Sequence, residues 1–149
     1  TGQYGVEFLP RLLREKGVAF ENNPNLDIRE YIHDMPDCLA AADLVIARAG
    51  AMTLAELTAL GRASVLIPSP NVAENHQYHN AMVLENHHAA VVIEEKDLTG
   101  EKLAETVRRL TDDPEKLRQL GLAAKALGTP DACGRITDEL LKLYEARKK

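Results

Sequence analysis

Residues 42–68 read ADLVIARAGAMTLAELTALGRASVLIP, and this stretch decides the fold. It begins with a short apolar run, residues 44–47, that suits a buried strand. Small residues up to Gly50 form a break, after which residues 51–60 are rich enough in Ala and Leu to be a helix. Residues 64–67 make a second apolar run, which a proline stops. Strand, glycine turn, helix and strand in this order predict a right-handed βαβ crossover in a parallel sheet.

The predicted helix at residues 51–60 is apolar on nearly every side. Its leucines and alanines lean in different directions, and Thr53 and Glu56, three residues apart, form its polar edge. A helix that is apolar all round is expected to be buried. Gly61 stands where a glycine commonly ends a helix. We therefore expect a buried helix between two buried strands.

The start of this helix is a candidate anion site. The first backbone N–H groups of a helix have no intrahelical acceptor, and the helix dipole places about half a positive charge there. Gly50 would let a ligand approach the backbone, Ala51 adds little bulk, and Thr53 offers a hydroxyl. Glu56, one turn further on, would repel a phosphate but suits the hydroxyls of a ribose. This arrangement fits a nucleotide, although a plain buried βαβ unit with a structural Glu56 has the same spacing.

The composition of the 149-residue chain is ordinary for one soluble globular domain, with 45% hydrophobic and 28% charged residues. A net charge of −5 gives no electrostatic case for nucleic-acid binding. We find no apolar run of membrane-spanning length and no signal-peptide pattern. Cys38 and Cys133 lie far apart, so we expect neither a disulfide framework nor a cysteine metal site.

The rest of the chain predicts an α/β domain, a Rossmann-like parallel sheet with helices on both faces. Residues 26–32 alternate apolar and polar side chains and predict a strand, and Pro10 weakens a helix otherwise indicated over residues 4–16. The chain begins with this helix and without an initiating Met, so we expect a fragment whose first strand is missing. Thr99 and Asp113 are suited to begin the helices that follow them. The remaining predicted elements are helices at 36–42, 76–86, 98–110, 114–127 and 131–144, and a strand at 89–93.

A second segment that points to a ligand is the loop at residues 69–75, which is rich in proline and polar residues and follows a predicted strand. In open α/β sheets, ligands bind at the carboxyl ends of the strands. Gln77 and Asn80 lie in the first turns of the next predicted helix, so we expect them near the same crevice as Gly50. The two segments together predict a ligand site at this edge of the sheet.

Three segments resemble a known family: residues 31–35 (YIHDM), 42–56 (ADLVIARAGAMTLAE) and 75–81 (NHQYHNA). They are similar to the carboxyl-terminal half of the MurG family, bacterial glycosyltransferases of peptidoglycan synthesis with the two-domain GT-B fold. The resemblance covers nearly the whole chain and is most specific at residues 48–56 and 77–81. It implies transfer of N-acetylglucosamine from UDP to undecaprenyl-pyrophosphoryl-muramyl-pentapeptide, which converts lipid I to lipid II at the cytoplasmic face of the bacterial membrane.

The resemblance also implies roles for particular residues. Ile32 would contact the uracil through its backbone, and Glu56 would hold the ribose hydroxyls. Gln77 would hold sugar hydroxyls together with His76, and Asn80 would support the helix start. Some family members have Gln at the position of His76. The diphosphate would lie against Gly50, Ala51, Met52 and Thr53.

Two further groups of side chains have alternative readings. Arg48 could neutralise the leaving diphosphate, or it could pair with Asp43 or Glu56. His76 and His79, three residues apart, could share a metal ion, but no third ligand accompanies them. We therefore expect no metal, and no cofactor besides the donor UDP-N-acetylglucosamine.

The resemblance is to only part of the family's chain. The family's donor-binding half opens with a strand and a Gly-Gly-Ser loop, and its amino-terminal half binds lipid I and carries the general base. Neither part is in this sequence, so the resemblance implies the UDP-sugar-binding half of an inverting enzyme, inactive alone. Two alternatives stay open: a non-catalytic nucleotide-sugar-binding module that works with a partner chain, and part of another GT-B enzyme such as a sugar-nucleotide epimerase.

Overall fold

The computed structural model describes the backbone of residues 2–148 and the side chains of residue 5 and residues 8–148. Two units make up the chain, with the boundary between Cys38 and Leu39. Within the described residues, no helix is both long enough and apolar enough to cross a membrane.

The first unit begins with helix α1, Gly2–Glu15, and ends within helix α2, Met35–Ala41. Helix α1 is the helix indicated by residues 4–16, and it includes Pro10. Gly17 follows it with a φ of 69°, a left-handed conformation that glycine adopts without strain. The short predicted helix at residues 36–42 corresponds to α2, which begins and ends one residue earlier.

The strand predicted at residues 26–32 is wrong, because this segment is irregular and pairs with no strand of the described chain. Leu26 is 43% exposed and Ile28 is 37% exposed, so the alternation buries no face. Instead, the Arg29 guanidinium bridges the carboxylates of Asp27 and Asp34 at N–O distances of 2.6 and 2.9 Å. An alternating sequence cannot supply the neighbouring strand that its hydrogen bonds require.

The second unit is built on a parallel sheet. The predicted strand–helix–strand unit is confirmed, and helix α3, Ala51–Leu60, joins the first strand to the second. In the pairing register, Leu44 lies opposite Ala63 and Val65 lies opposite Val91. The third strand is shorter than the predicted run at residues 89–93. In spatial order the described strands are β1, Leu44–Ala47; β2, Ala63–Leu66; and β3, Val91–Val92.

The helices predicted after the loop are confirmed, with ends that shift by two residues at most. Thr99 and Asp113 accept hydrogen bonds from the backbone N–H groups of Lys102 and Lys116, at 3.1 and 3.0 Å, and so cap the starts of two helices. The helices after the loop are α4, His76–Asn86; α5, Gly100–Thr111; α6, Pro114–Leu127; and α7, Ala132–Ala146. Thr99 caps α5 and Asp113 caps α6.

Helices cover both faces of the sheet, as predicted. Successive residues of a strand point to opposite faces, and the fully buried Val65 and Leu66 belong to different apolar clusters. The cluster around Leu66 includes residues of α3 and α4, together with Ala124 of α6. The cluster around Val65 includes Leu110 of α5 and Leu120 of α6. The sheet is therefore the middle of three layers.

Helix α3 is not buried on all sides, which corrects the prediction from its composition. Leu54, Leu57 and Thr58 are buried, whereas Met52 is 75% exposed and Leu60 is 37% exposed. The helix packs on α4 and α6 with one face only. An apolar composition shows what a helix tolerates and does not show how many of its sides have neighbours.

Candidate functional site

The candidate site lies at the carboxyl edge of the sheet. Because the strands are parallel, the segments that follow β1, β2 and β3 leave the sheet on the same side. These segments are residues 48–50, 67–75 and 93–97. The predicted ligand-binding residues of the second unit follow β1 and β2, so the fold brings them to one edge.

The turn at Gly50 presents free backbone donors. Gly50 caps α3 with a φ of −69° and a ψ of 146°, and its carbonyl accepts the first helical bond, from Leu54, at 3.0 Å. The N–H groups of residues 51–53 precede that bond and have no acceptor within the described chain. Three convergent N–H groups at a helix start can bind an oxyanion.

Glu56 stands unpaired near these donors. It is exposed, and its carboxylate forms no hydrogen bond or ion pair with residues 2–148. Thr53, one turn earlier on α3, is half-buried. A free carboxylate can accept two hydroxyl groups at once, which is the chemistry that a ribose diol needs.

Helix α4 is tied to the Gly50 turn by a side chain. The Asn80 amide donates to the carbonyl oxygen of Ala49 at 3.4 Å, one residue before the turn. The Gln77 side-chain oxygen accepts the N–H of Ser69 at 2.9 Å, which holds the loop after β2 against α4. The structure therefore places Asn80 beside the Gly50 turn, as expected, and leaves the Gln77 amide N–H groups available to a ligand.

The entry to α4 has unusual backbone angles. Glu74 and Asn75 have φ values of 52° and 51°, in the left-handed region that side chains other than glycine rarely adopt. His76 begins α4, and its Nδ1 lies 2.9 Å from the carbonyl oxygen of Ala73. Non-glycine residues in this region often lie in functional loops, and nothing in the sequence marked these two.

Arg48 has a partner that the sequence analysis missed. Its Nη1 donates to the carbonyl oxygen of Ile67 at 3.3 Å and pairs with the carboxylate of Glu95. The alternatives of a pair with Asp43 or Glu56 are therefore wrong. Glu95 begins a short turn, Glu95–Asp97, just after β3, and its position past a predicted strand was the one available signal.

The surroundings of Glu95 are charged. Lys96 lies 3.0 Å from the carboxylate of Glu94, and this hydrogen bond raises the pKa of Lys96. An adjoining cavity of about 370 Å³ opens between the loop after β2 and the turn after β3. Its lining residues are Pro68, Pro70, Asn75, Tyr78, Glu94, Glu95 and Lys96.

One predicted residue belongs to the first unit, and a further cavity of the second unit lies at the other edge of its sheet. Ile32, the predicted uracil contact, is a half-buried residue of the first unit. A cavity of about 610 Å³ is lined by Asp43, Gly61 and Arg62 among others, near the amino ends of β1 and β2. The second cavity is larger than the one beside Tyr78, but the unpaired donors and Glu56 belong to the carboxyl edge.

Comparison with known proteins decides the family. The sequence pattern of the glycosyltransferase family 28 C-terminal domain matches residues 1–136. This chain belongs to that family. The resemblance to the carboxyl-terminal half of MurG is thereby confirmed, as is the predicted Rossmann-like α/β fold.

Close relatives of this family 28 domain have one name. This chain is 45% identical over 136 residues to the UDP-N-acetylglucosamine–N-acetylmuramyl-(pentapeptide) pyrophosphoryl-undecaprenol N-acetylglucosamine transferase of Desulforamulus reducens. The alignment covers 91% of this chain and 37% of that protein. This chain is 43% identical over 143 residues to the Bacillus subtilis protein of the same name, covering 96% of this chain and 38% of that protein. The chain therefore spans less than two fifths of the length of these relatives.

Solved structures agree with the family 28 assignment. The crystal structure of Acinetobacter baumannii MurG aligns with a TM-score of 0.80 and 28% identity, over 95% of this chain and 39% of that one. The glycosyltransferase VinC, solved in complex with DTDP, aligns with a TM-score of 0.59 at 18% identity, over 86% of this chain and 31% of that one. The second likeness shows the shared fold alone.

Proposed function

We propose that this family 28 domain binds UDP-N-acetylglucosamine as the donor half of an N-acetylglucosaminyltransferase that converts lipid I to lipid II. The observation that carries the proposal is the juxtaposition on α3 of free N–H groups at residues 51–53 with the unpaired carboxylate of Glu56. Phosphate on helix-start amides and ribose on an adjacent acid is how α/β sheets bind nucleotides. The names of the relatives supply the sugar and the acceptor.

Each part of the donor has a proposed contact in this chain. The diphosphate lies against the turn from Gly50 to Thr53, and the ribose hydroxyls donate to Glu56. Gln77 and His76 hold the sugar hydroxyls, and the backbone of Ile32 contacts the uracil. Asn80 keeps α4 against the turn through its bond to Ala49.

The chemistry assigned to these residues is electrostatic. In an inverting transfer, the acceptor hydroxyl attacks the anomeric carbon, a base outside this chain takes its proton, and UDP leaves. Negative charge grows on the diphosphate as the bond breaks, and the partial positive charge at the start of α3 stabilises it. We propose that lipid I binds to the part of the enzyme beyond this chain, at the membrane surface.

The test is the affinity of the chain for UDP-N-acetylglucosamine, measured by titration calorimetry for wild type and for Glu56→Ala. We expect the variant to bind about tenfold more weakly, because two hydroxyl-to-carboxylate bonds are lost, a difference of ~1.4 kcal/mol. Glu56→Gln should fall between the two, since its amide oxygen still accepts one hydroxyl.

Glu105→Ala is the matched control. Glu105 is exposed and is the sixth residue of α5, as Glu56 is of α3, but α5 packs on the other face of the sheet. We expect it to bind the donor like wild type. Equal affinity of wild type and Glu56→Ala would remove Glu56 from the site, and no binding by wild type would contradict the proposed function itself.

A further inference from the structure

We propose that Glu95 is a positioning residue for the donor diphosphate, acting through Arg48. It holds the guanidinium by one nitrogen and so presents the opposite edge of that group to the phosphates. The proposal rests on the nucleotide site proposed above, and it assigns a role to a residue 47 positions beyond Arg48 in the chain.

The first step is how Arg48 is held. Nη1 carries two hydrogens, and the structure gives it two acceptors, the carbonyl oxygen of Ile67 and the carboxylate of Glu95. The carbonyl follows β2 and the carboxylate follows β3. One nitrogen is thus fixed across the carboxyl ends of two strands.

The second step is what this leaves free. The Nε–H group and both Nη2–H groups of Arg48 have no acceptor within residues 2–148. The side chain is 51% exposed, so a ligand can reach it. The Nε–Nη2 edge is a fork of two parallel donors, the geometry that binds phosphate in a bidentate manner.

The third step is why the Arg48–Glu95 pair does more than stabilise the fold. Its side chains are 51% and 37% exposed, and ion pairs of that exposure contribute little to stability. An untethered arginine, in contrast, loses several rotatable bonds when it binds a phosphate, and a tether removes part of that cost in advance. Of the neighbouring acids, Glu94 pairs with Lys96, and Glu95 is the one that contacts Arg48.

The experiment compares UDP with UMP, because only the second phosphate should depend on Arg48. Dissociation constants for both are measured by calorimetry on wild type, Glu95→Ala, Glu95→Gln and Asp97→Ala. We expect Glu95→Ala to lower the preference for UDP over UMP about three- to tenfold, since the tether is lost. Glu95→Gln should largely rescue it, because the amide oxygen still accepts the Nη1 hydrogen.

Asp97→Ala is the charge-matched control. Asp97 belongs to the same short turn, is exposed and does not contact Arg48. It removes the same negative charge, so an effect of net charge alone would appear in both alanine variants. Arg48→Gln should lower the UDP preference at least as much as Glu95→Ala, and the double variant should lose no more than Arg48→Gln alone.

A second measurement follows the Nε–H signal of Arg48 by NMR during titration with inorganic pyrophosphate. We expect it to shift in wild type and Glu95→Gln, and to shift less in Glu95→Ala. The proposal is overturned if Glu95→Ala prefers UDP as strongly as wild type does, or more strongly, or if pyrophosphate leaves the wild-type signal unmoved. If UDP does not bind but pyrophosphate moves the wild-type signal, and moves it less in Glu95→Ala, the nucleotide assignment fails and the positioning of Arg48 by Glu95 stands.

Discussion

Gly50 has backbone angles that any residue can adopt, and its surroundings within the chain do not require a glycine. Its φ is −69°, and a Cβ built there would meet only the Thr53 hydroxyl, at 3.9 Å. Gly61, at the other end of the same helix, differs: its φ is 67°, and an added Cβ would lie 3.0 Å from Lys125. The fold explains Gly61, whereas two reasons favour glycine at Gly50: its preference over alanine at a helix N-cap and the close approach of a ligand.

Gly50→Ala therefore separates binding from folding. We expect the free energy of unfolding to change by less than about 1 kcal/mol, because the poorer helix cap and the stiffer unfolded chain offset each other. Donor affinity should fall about tenfold or more, since the methyl group occupies space next to the diphosphate. Chemical denaturation and calorimetry measure the two quantities.

Gly100→Ala is the control for this substitution. Gly100 begins α5, and an added Cβ there would meet nothing within 4 Å. We expect donor affinity to stay at the wild-type value in this variant. Wild-type affinity in Gly50→Ala as well would mean that the diphosphate does not approach this turn.

Single residues also show how far the sequence could predict the site. The turn at Gly50 and the acid at Glu56 were predictable because they belong to one helix and its cap, where spacing along the sequence fixes relative position. The partner of Arg48 was not predictable, because Glu95 meets it only after three strands align. The bond from Gln77 to Ser69 likewise depends on the path of a loop.

The elements were predicted where local signals were enough. The unit from β1 through α3 to β2 follows from two apolar runs, a break and a helix-ending glycine. The strand at residues 26–32 failed because alternation describes one strand and not its neighbour. The prediction that α3 is buried on all sides was wrong for a related reason, since the number of helices around it is set by the whole unit.

Helix α6 contains a carboxyl group, that of Glu115, whose pKa can be measured independently of ligand binding. Hydrogen bonds from Arg118, and next from Gln119, lower the pKa of Glu115 from 4.5 to about 2. Because the folded pKa is lowered, this interaction stabilises the folded chain above pH 4.5, and the stabilisation is lost as the pH falls towards 2. Glu115 is exposed, so the contribution to stability is small.

We expect the carboxyl signal of Glu115 to titrate in NMR with a midpoint of about 2. Arg118→Ala should move the midpoint back towards 4.5, because the main hydrogen-bond donor to the carboxylate is lost. Lys116→Ala is a control on the same helix, since the side-chain partners of Glu115 in the described chain are Arg118 and Gln119 and not Lys116. A wild-type midpoint of 4.5 would show that the Arg118 bond does not form in solution.

At the scale of the whole molecule, the two edges of the sheet have different chemistry. The amino edge has the cavity of about 610 Å³ near Asp43 and Arg62, and the carboxyl edge has the free N–H groups and Glu56. A ligand that binds the folded chain but not the unfolded chain raises the free energy of unfolding, whichever edge of the sheet it binds. The residues whose backbone hydrogen exchange slows then show which edge the ligand occupies.

UDP-N-acetylglucosamine should therefore stabilise the second unit and protect one edge of its sheet. At a ligand concentration of 100 times Kd we expect about 2.7 kcal/mol of added stability, which raises Tm by roughly 5–10 °C. Scanning calorimetry measures the rise, and hydrogen exchange should slow at residues 51–53, where the donors have no acceptor in the chain. Slower exchange around Arg62 instead, with no change at the start of α3, would move the ligand to the amino edge and contradict the diphosphate assignment.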